Sequence, residues 1–212
     1  MKLYTYFRSS AAFRVRIALN LKGLAYEPQL VNLPKGHHRD ARYAALNPQA
    51  LLPSLEDEGA RLNQSLAIIE YLEETRPMPA LLPKDVLGRA RVRSLSLLVA
   101  CEIHPLNNLR ILQYLRRHLG QSEEQIKTWY RHWIDDGLGK LEAELGGAKE
   151  TGRFCHGDNP TMADCCLVPQ VFNAKRYESD LSPYATVMRV FDQCMKLDAF
   201  DRAQPSKQPD AE

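Results

Sequence analysis

The sequence predicts an α/β domain over residues 1–82, followed by an all-helical domain over residues 88–212. Strand-like and helix-like stretches alternate up to about residue 80, in the order β-α-β-α-β-β-α. Prolines then cluster over residues 77–83, which is typical of an inter-domain linker. Beyond this cluster only the periodicity of helices is present, so the second domain is expected to be helical.

The α/β domain begins with a strand predicted at residues 2–7, which are rich in Tyr and Phe. Residues 13–22 then place apolar side chains at i, i+4 and i+8, which predicts an amphipathic helix ending before Gly23. Arg14 and Arg16 lie off this apolar stripe, and we expect them to make structural or interface pairs.

A second strand, a short helix, a hairpin and a second long helix complete this domain. Glu58-Gly59 has the composition of a hairpin turn. Ser65 is expected to cap the second long helix and Pro77 to stop it. The four elements are predicted at residues 26–33, 40–46, 51–63 and 65–75.

Four helices are predicted in the second domain. The first is expected to kink at Pro105, because a proline inside a helix removes a backbone hydrogen bond. Capping-box patterns at Ser122 and Thr161 predict where two further helices begin. Residues 201–212 are expected to fray. The helices are predicted at residues 89–119, 122–145, 161–176 and 184–195.

The composition excludes several functional classes. Lys+Arg 28 against Asp+Glu 26 gives a net charge of +2, which argues against a general nucleic-acid or membrane-surface binder. No apolar run approaches the roughly 20 residues that span a bilayer, and the first residues lack the apolar stretch of a signal peptide. The 5 cysteines include no CxxC pair and no zinc spacing, which favours buried thiols in a reducing cytoplasm and no metal site.

Two helix starts in the α/β domain carry hydroxyl groups. Ser9 and Ser10 precede the first helix, where unpaired N–H groups and the helix dipole stabilise an anion such as a thiolate. Gln64 and Ser65 precede the second long helix, where the same groups suit a carboxylate. At both places the alternative is an ordinary N-cap without a ligand.

Two further segments are candidates for ligand contacts. A cis peptide bond between Leu52 and Pro53 would expose the Leu52 backbone to a peptide-like ligand. His104 and Asn108 lie at the predicted kink, which can open a pocket between helices. Both side chains could equally be structural hydrogen-bonding groups.

Taken together, these segments resemble the zeta class of the glutathione transferases over essentially the whole chain. Residues 9–19, SSAAFRVRIAL, match the zeta signature Ser-Ser-Cys-x-Trp-Arg-Val-Arg-Ile-Ala-Leu, with Ala11 and Phe13 in place of its Cys and Trp. The Leu52-Pro53 pair, the QSLAIIEYLEE stretch and the HPLNN stretch also resemble the family, and residues 157–164 match its buried capping motif. The change at position 11 removes any protein thiol there.

The resemblance implies a thioredoxin-like N-terminal domain that holds glutathione and a helical C-terminal domain that completes the substrate site. Ser9, with Ser10 as second choice, is expected to stabilise the glutathione thiolate, and Leu52 to offer its backbone to the cysteinyl part. The other implied glutathione-binding residues are Gln64 and Ser65 for the γ-glutamyl carboxylate, His38 near the glycine end, and His104 and Asn108 from the helical domain.

The implied reaction is the cis–trans isomerisation of a conjugated dicarboxylic keto acid, maleylacetoacetate to fumarylacetoacetate, in aromatic amino acid breakdown. Reversible addition of the thiolate turns the double bond into a single bond that can rotate, so glutathione is not consumed. The substrate carboxylates suit the planar fork of arginine, and Arg8, Arg110 and Arg176 are the expected substrate-binding residues.

Three alternatives remain open from the sequence. The first is a maleylpyruvate isomerase of gentisate breakdown, and the second is a broad transferase that consumes glutathione by conjugation. The third is a non-enzymatic glutathione-binding adaptor, which predicts a damaged Gln64-Ser65 pair or a missing helix-start serine. A homodimer is expected by analogy with the fold.

Overall fold

The structure, a computed structural model, describes residues 1–212. The chain forms two compact units. The first comprises Met1–Leu81 together with Met195–Glu212, and the second comprises Leu82–Cys194. None of the helices combines the length and the apolar character that crossing a membrane requires.

A four-stranded mixed sheet forms the centre of the first unit, in the spatial order β2-β1-β3-β4. β1 pairs parallel with β2 and antiparallel with β3, and β3 and β4 form the predicted hairpin. β1 ends two residues earlier than predicted, because Tyr6 and Phe7 turn towards the first helix. The strands are β1 Lys2–Thr5, β2 Glu27–Leu30, β3 Ser54–Asp57 and β4 Ala60–Asn63.

Three helices belong to the same part of the first unit: α1 Ser10–Leu21, α2 Ala41–Leu46 and α3 Ser65–Thr75. α1 begins three residues before the predicted start, and Gly23 follows it with a φ of 66°, a conformation that glycine adopts without strain. Arg14 and Arg16 are 2% and 0% exposed, and their hydrogen bonds confirm the prediction that they make structural contacts. Each guanidinium is buried because it donates hydrogen bonds within the unit.

A buried ion pair connects the end of α1 to α3. Lys22 Nζ donates to Glu73 Oε2 at 2.8 Å and to the carbonyl oxygens of Arg76 and Pro79 at 2.8 and 2.9 Å. The same Glu73 oxygen accepts from the Leu81 N–H at 2.9 Å. Because the Lys22 side chain is 0% exposed, this network fixes the two helices and the chain that follows them.

Five helices form the second unit: α4 Val86–Leu97, α5 Leu109–Arg117, α6 Glu123–Gly146, α7 Met162–Arg176 and α8 Ala185–Met195. The capping boxes predicted at Ser122 and Thr161 are confirmed. At Thr161, the buried carboxylate of Asp164 accepts from the backbone N–H and from the hydroxyl group. Its other oxygen accepts from the Cys155 N–H at 2.9 Å, which ties the preceding loop to α7.

The prediction of one long helix kinked at Pro105 is wrong. α4 ends at Leu97 and passes into a π-helical turn over Leu98–Ile103 and a 3₁₀ turn over His104–Asn107 before α5 begins. Ile103, the last residue of the π-helical turn, packs directly on the α6 backbone, because a Cβ atom on Gly137 would overlap its side chain. Asn107 Nδ2 also donates to the Tyr130 carbonyl at 3.1 Å.

The cysteines carry no disulfide. Four of them are buried, as predicted, and burial raises the pKa of the Cys155 thiol well above its usual value. Cys101, in the π-helical turn, is exposed, so the prediction of buried thiols is wrong for this residue. No group of three or more His, Cys, Asp or Glu side chains is arranged to hold a metal ion.

The C-terminal residues pack against the first unit, so the prediction that they fray is wrong. A short helix α9, Asp198–Asp201, is followed by a 3₁₀ turn over Pro205–Lys207. Phe200 and Ala203 are 0% exposed, and the Ala203 carbonyl accepts from Arg16 Nε at 3.1 Å. Most residues of this stretch are polar, and its buried side chains are those of Phe200 and Ala203 alone, so the composition does not reveal that the stretch is anchored.

Candidate functional site

The register of the sheet gathers three predicted segments of the first unit at one edge. Tyr4, next to the last residue of β1, pairs with Ser54, the first residue of β3, and Ser54 pairs with Asn63, the last residue of β4. The turn after β1, the loop before β3 and the start of α3 therefore all leave the sheet at the same end. Leu52 and Gln64 lie on two of these three segments.

Ser9 caps α1. Its Oγ accepts a hydrogen bond from the Ala12 N–H at 3.2 Å, and its side chain is half-buried. Ser10 is the first residue of the helix and is only 8% exposed. Because the Ser9 oxygen accepts from the backbone, its own O–H remains able to donate to an anion at the positive end of the helix. Arg8, the preceding residue, is exposed.

The loop before β3 presents Leu52 next to a cis peptide bond, as predicted. Leu52 precedes the strand, so its backbone takes no part in the sheet ladder, and its side chain belongs to the buried apolar cluster that includes Phe7. The loop is fixed by the Tyr43 hydroxyl and Asn47 Nδ2, which donate to the Leu51 carbonyl at 2.6 and 2.9 Å.

Asn47 fixes the loop before β3, a role that the sequence does not predict, because its pattern indicates only that a short helix ends here. Its side chain also donates to Ser54 Oγ at 3.1 Å, and the residue is 0% exposed. An Asn-Pro pair is a helix stop signal, and the buried hydrogen bonds of its amide group are not visible in the pattern.

The start of α3 lacks a side-chain cap, so the prediction that Ser65 caps this helix is wrong. Ser65 is the first helical residue, and its Oγ accepts from Arg14 Nη1 at 3.2 Å. Gln64 occupies the cap position with a φ of 69°, which costs a residue other than glycine about 1–3 kcal/mol. The Gln64 side chain accepts from none of the N–H groups of the first turn of α3, which fits a carboxylate from a ligand at this helix start.

His38 lies in a 3₁₀ turn, His37–Arg39, and is half-buried. Its Nδ1 atom is buried and has no hydrogen-bond partner. Burial, followed by the nearby Arg39 charge, lowers the pKa of His38, so the ring is neutral at pH 7. A neutral imidazole carries one donor and one acceptor nitrogen, so the half-buried ring is suited to a hydrogen bond with a polar ligand.

In the second unit, the turn between α4 and α5 holds three predicted residues. His104 begins the 3₁₀ turn and is half-buried. Asn108 caps α5, with its Oδ1 accepting from the Arg110 N–H at 3.2 Å. This cap leaves the Asn108 amide NH₂ as a donor, and the side chain of Arg110, the second residue of α5, is exposed.

Arg176 ends α7 and is exposed. Its guanidinium lies 4.9 Å from the ring centroid of Tyr177, and that ring stacks on Tyr130 with centroids 3.5 Å apart. Burial raises the pKa of Tyr130 well above its usual value, against the opposing effect of Arg176. The Tyr130 carbonyl also accepts from Asn107, so one residue of α6 supports both Arg176 and the turn that carries His104.

The sequence and fold have close relatives. Residues 3–80 match the family described as Glutathione S-transferase, N-terminal domain, and residues 108–202 match Glutathione S-transferase, C-terminal domain. A maleylpyruvate isomerase from Ralstonia sp is 51% identical over 211 residues, covering 100% of both chains. The chain belongs to the glutathione S-transferase family. A maleylacetoacetate isomerase from Pseudomonas aeruginosa is 49% identical to this transferase over 213 residues, covering 99% of this chain and 98% of the relative.

Solved structures agree with this assignment. A holo structure described as maleyl pyruvate isomerase, a bacterial glutathione S-transferase of the zeta class, matches with a TM-score of 0.98 at 50% identity over 100% of both chains. A maleylacetoacetate isomerase from Methylobacterium extorquens AM1, solved with malonate and glutathione bound, matches with a TM-score of 0.97 at 43% identity, also over 100% of both chains. The zeta-class resemblance and the predicted fold class are therefore confirmed.

Proposed function

We propose that this glutathione S-transferase is a glutathione-dependent cis–trans isomerase that converts maleylacetoacetate to fumarylacetoacetate. The observation that carries the proposal is the meeting, at one edge of the sheet, of the capped start of α1, the Leu52 loop and the uncapped start of α3. In this proposal, residues 1–82 bind glutathione and residues 88–212 form the substrate domain. The protein is proposed to be a homodimer in the cytoplasm.

The residues of the first unit fit the chemical groups of glutathione. The uncapped N–H groups at Gln64-Ser65 suit the γ-glutamyl carboxylate, and the Leu52 backbone suits the peptide groups of the cysteinyl part. The half-buried, neutral ring of His38 suits the glycine end. His104 and Asn108 are proposed to add polar contacts from the second unit.

When bound, glutathione supplies a thiolate that adds reversibly to the conjugated alkene and so allows rotation about that bond. The Ser9 hydroxyl donates a hydrogen bond to the sulfur, and the N–H groups and dipole of α1 add further stabilisation to its negative charge. We assign this role to Ser9 because Ser10 is buried at the first helical position.

Positive charge is needed for the substrate carboxylates and for the oxygen on which negative charge develops. Arg8, Arg110 and Arg176 are proposed for this role, because all three are exposed and a guanidinium binds a carboxylate through two parallel hydrogen bonds. Arg176 has a defined orientation, since the Tyr177 ring supports it. We expect Arg176→Ala to raise the KM for the substrate far more than the Kd for glutathione.

The test follows the ultraviolet absorbance of maleylacetoacetate and of maleylpyruvate, each with and without glutathione, and titrates thiols at the end. We expect fast isomerisation of maleylacetoacetate only with glutathione present, with all of the thiol recovered. Faster turnover of maleylpyruvate would indicate a maleylpyruvate isomerase instead. Loss of thiol would indicate a conjugating enzyme, and binding without turnover would indicate an adaptor. Equal rates without glutathione would refute the proposal.

A further inference from the structure

The segment 198–212 supplies a carboxylate to the turn that precedes α1. Asp210 Oδ2 accepts a hydrogen bond from the Phe7 N–H, with 3.0 Å between the oxygen and the nitrogen. The two residues lie 203 positions apart in the sequence, and Phe7 is 3% exposed. A buried N–H group requires a partner, and the partner of this one comes from the opposite end of the chain.

Three other polar backbone groups of the turn before α1, the Tyr6 and Phe7 carbonyls and the Ser9 N–H, also have hydrogen-bond partners. Arg16 donates to the Tyr6 carbonyl at 3.4 Å and to the Phe7 carbonyl at 3.0 Å. The Tyr6 carbonyl also accepts from the Ser9 N–H at 2.9 Å. Arg16 therefore fixes the carbonyl groups of the turn, and Asp210 fixes the Phe7 N–H two residues before the serine.

The segment 198–212 is itself anchored to α1. Arg16 Nε donates to the Ala203 carbonyl at 3.1 Å, and Asn20 Nδ2 donates to the Ala199 carbonyl at 2.9 Å. The buried guanidinium of Arg16 thus contacts the turn and the segment at once. Burial is the dominant effect on the pKa of this guanidinium and lowers it, whereas the negative charge of Asp210 acts to raise it. The segment that carries Asp210 is therefore anchored to the helix whose preceding turn Asp210 contacts.

We propose that Asp210 is a positioning residue for the thiolate site: by accepting from the Phe7 N–H, it sets where the Ser9 hydroxyl lies at the start of α1. The inference rests on the proposed function. Asp210 touches neither substrate nor sulfur and acts through the turn alone. Removing its carboxylate leaves a buried N–H without a partner, and the turn then relaxes towards another acceptor. A hydroxyl displaced by a fraction of an ångström no longer meets the sulfur with good hydrogen-bond geometry.

The test compares Asp210→Ala, Asp210→Asn and the matched control Glu212→Gln, which removes a carboxylate of the same segment at an exposed position. Each variant is assayed for KM of glutathione, for kcat, and for the midpoint of the thiolate absorbance of bound glutathione against pH. For Asp210→Ala we expect kcat/KM for glutathione to fall about fivefold to tenfold, with the thiolate midpoint moved to higher pH. Asp210→Asn retains an oxygen acceptor and should recover most of this loss.

Thermal unfolding separates positioning from simple stability. If Asp210→Ala unfolds more easily but keeps the wild-type KM and thiolate midpoint at a low temperature, the proposal is overturned. If Asp210→Ala does not fold, Asp210→Glu replaces it, because one added methylene displaces the acceptor without removing it, and an unchanged midpoint there also overturns the proposal. Wild-type protein without glutathione-dependent turnover would instead refute the proposed function.

Discussion

Replacement of Ser9 by Ala tests the chemistry assigned to the start of α1. The substitution removes the cap bond from the Ala12 N–H, which is 3.2 Å long and worth about 1 kcal/mol of stability. It also removes the proposed hydrogen bond to the thiolate. A bond to a charged group is worth about 1.5–3 kcal/mol, so turnover should fall by about tenfold to a hundredfold.

The assay measures kcat at saturating glutathione, with thermal unfolding recorded for the same preparations. Ser9→Thr keeps a hydroxyl group and should retain most of the turnover, whereas Ser10→Ala should change it by less than about threefold because Ser10 is buried. Unchanged turnover in Ser9→Ala would refute the assignment. A large loss in Ser10→Ala with little in Ser9→Ala would move the role to the neighbouring residue.

Three other substitutions are expected to separate binding from stability. Arg110→Ala should raise the KM for the substrate at least about tenfold with little change in glutathione affinity, whereas the control Arg117→Ala on the same helix should leave the KM unchanged. Equal effects of the two substitutions in steady-state kinetics would count against the assignment. Asp164→Ala leaves the N–H groups of Cys155 and Thr161 without an acceptor and should lower the free energy of unfolding, measured with denaturant, by about 2–5 kcal/mol. A decrease below about 1 kcal/mol would contradict the importance of these hydrogen bonds. Lys22→Met leaves the buried Glu73 carboxylate without its cation and should lower the free energy of unfolding by about 3–5 kcal/mol. Adding Glu73→Gln should recover part of this loss, and a double variant less stable than Lys22→Met would contradict the expectation.

Local patterns predicted most of the elements of the fold. The order of strands and helices in the first unit follows from residue alternation and turn composition, and the starts of α6 and α7 follow from capping boxes. The π-helical turn after Leu97 was not predicted, and its residue Ile103 packs against Gly137, a residue far away in the sequence that local patterns do not connect to it. The packing of segment 198–212 was not predicted either, because hydrogen bonds between residues far apart in the sequence anchor it.

The candidate site was predictable where a residue type carries its own chemistry. Ser9 at a helix start and the Leu52-Pro53 pair could be found from local sequence, because helix caps and proline restrict the backbone directly. The cap position of α3 was misplaced by one residue, because Ser65 is engaged by Arg14 and Gln64 adopts a positive φ. Asn47 was overlooked as a loop-fixing residue, since a buried amide has no local signature.

The ionisation of bound glutathione tests the central claim most directly. Wild-type protein is saturated with glutathione, and the ultraviolet absorbance of the thiolate is recorded against pH beside free glutathione. We expect the bound thiol to ionise at least about one pH unit below the free thiol, whose pKa is close to that of cysteine, about 8.5. Coincident titration curves, or the absence of binding, would contradict it.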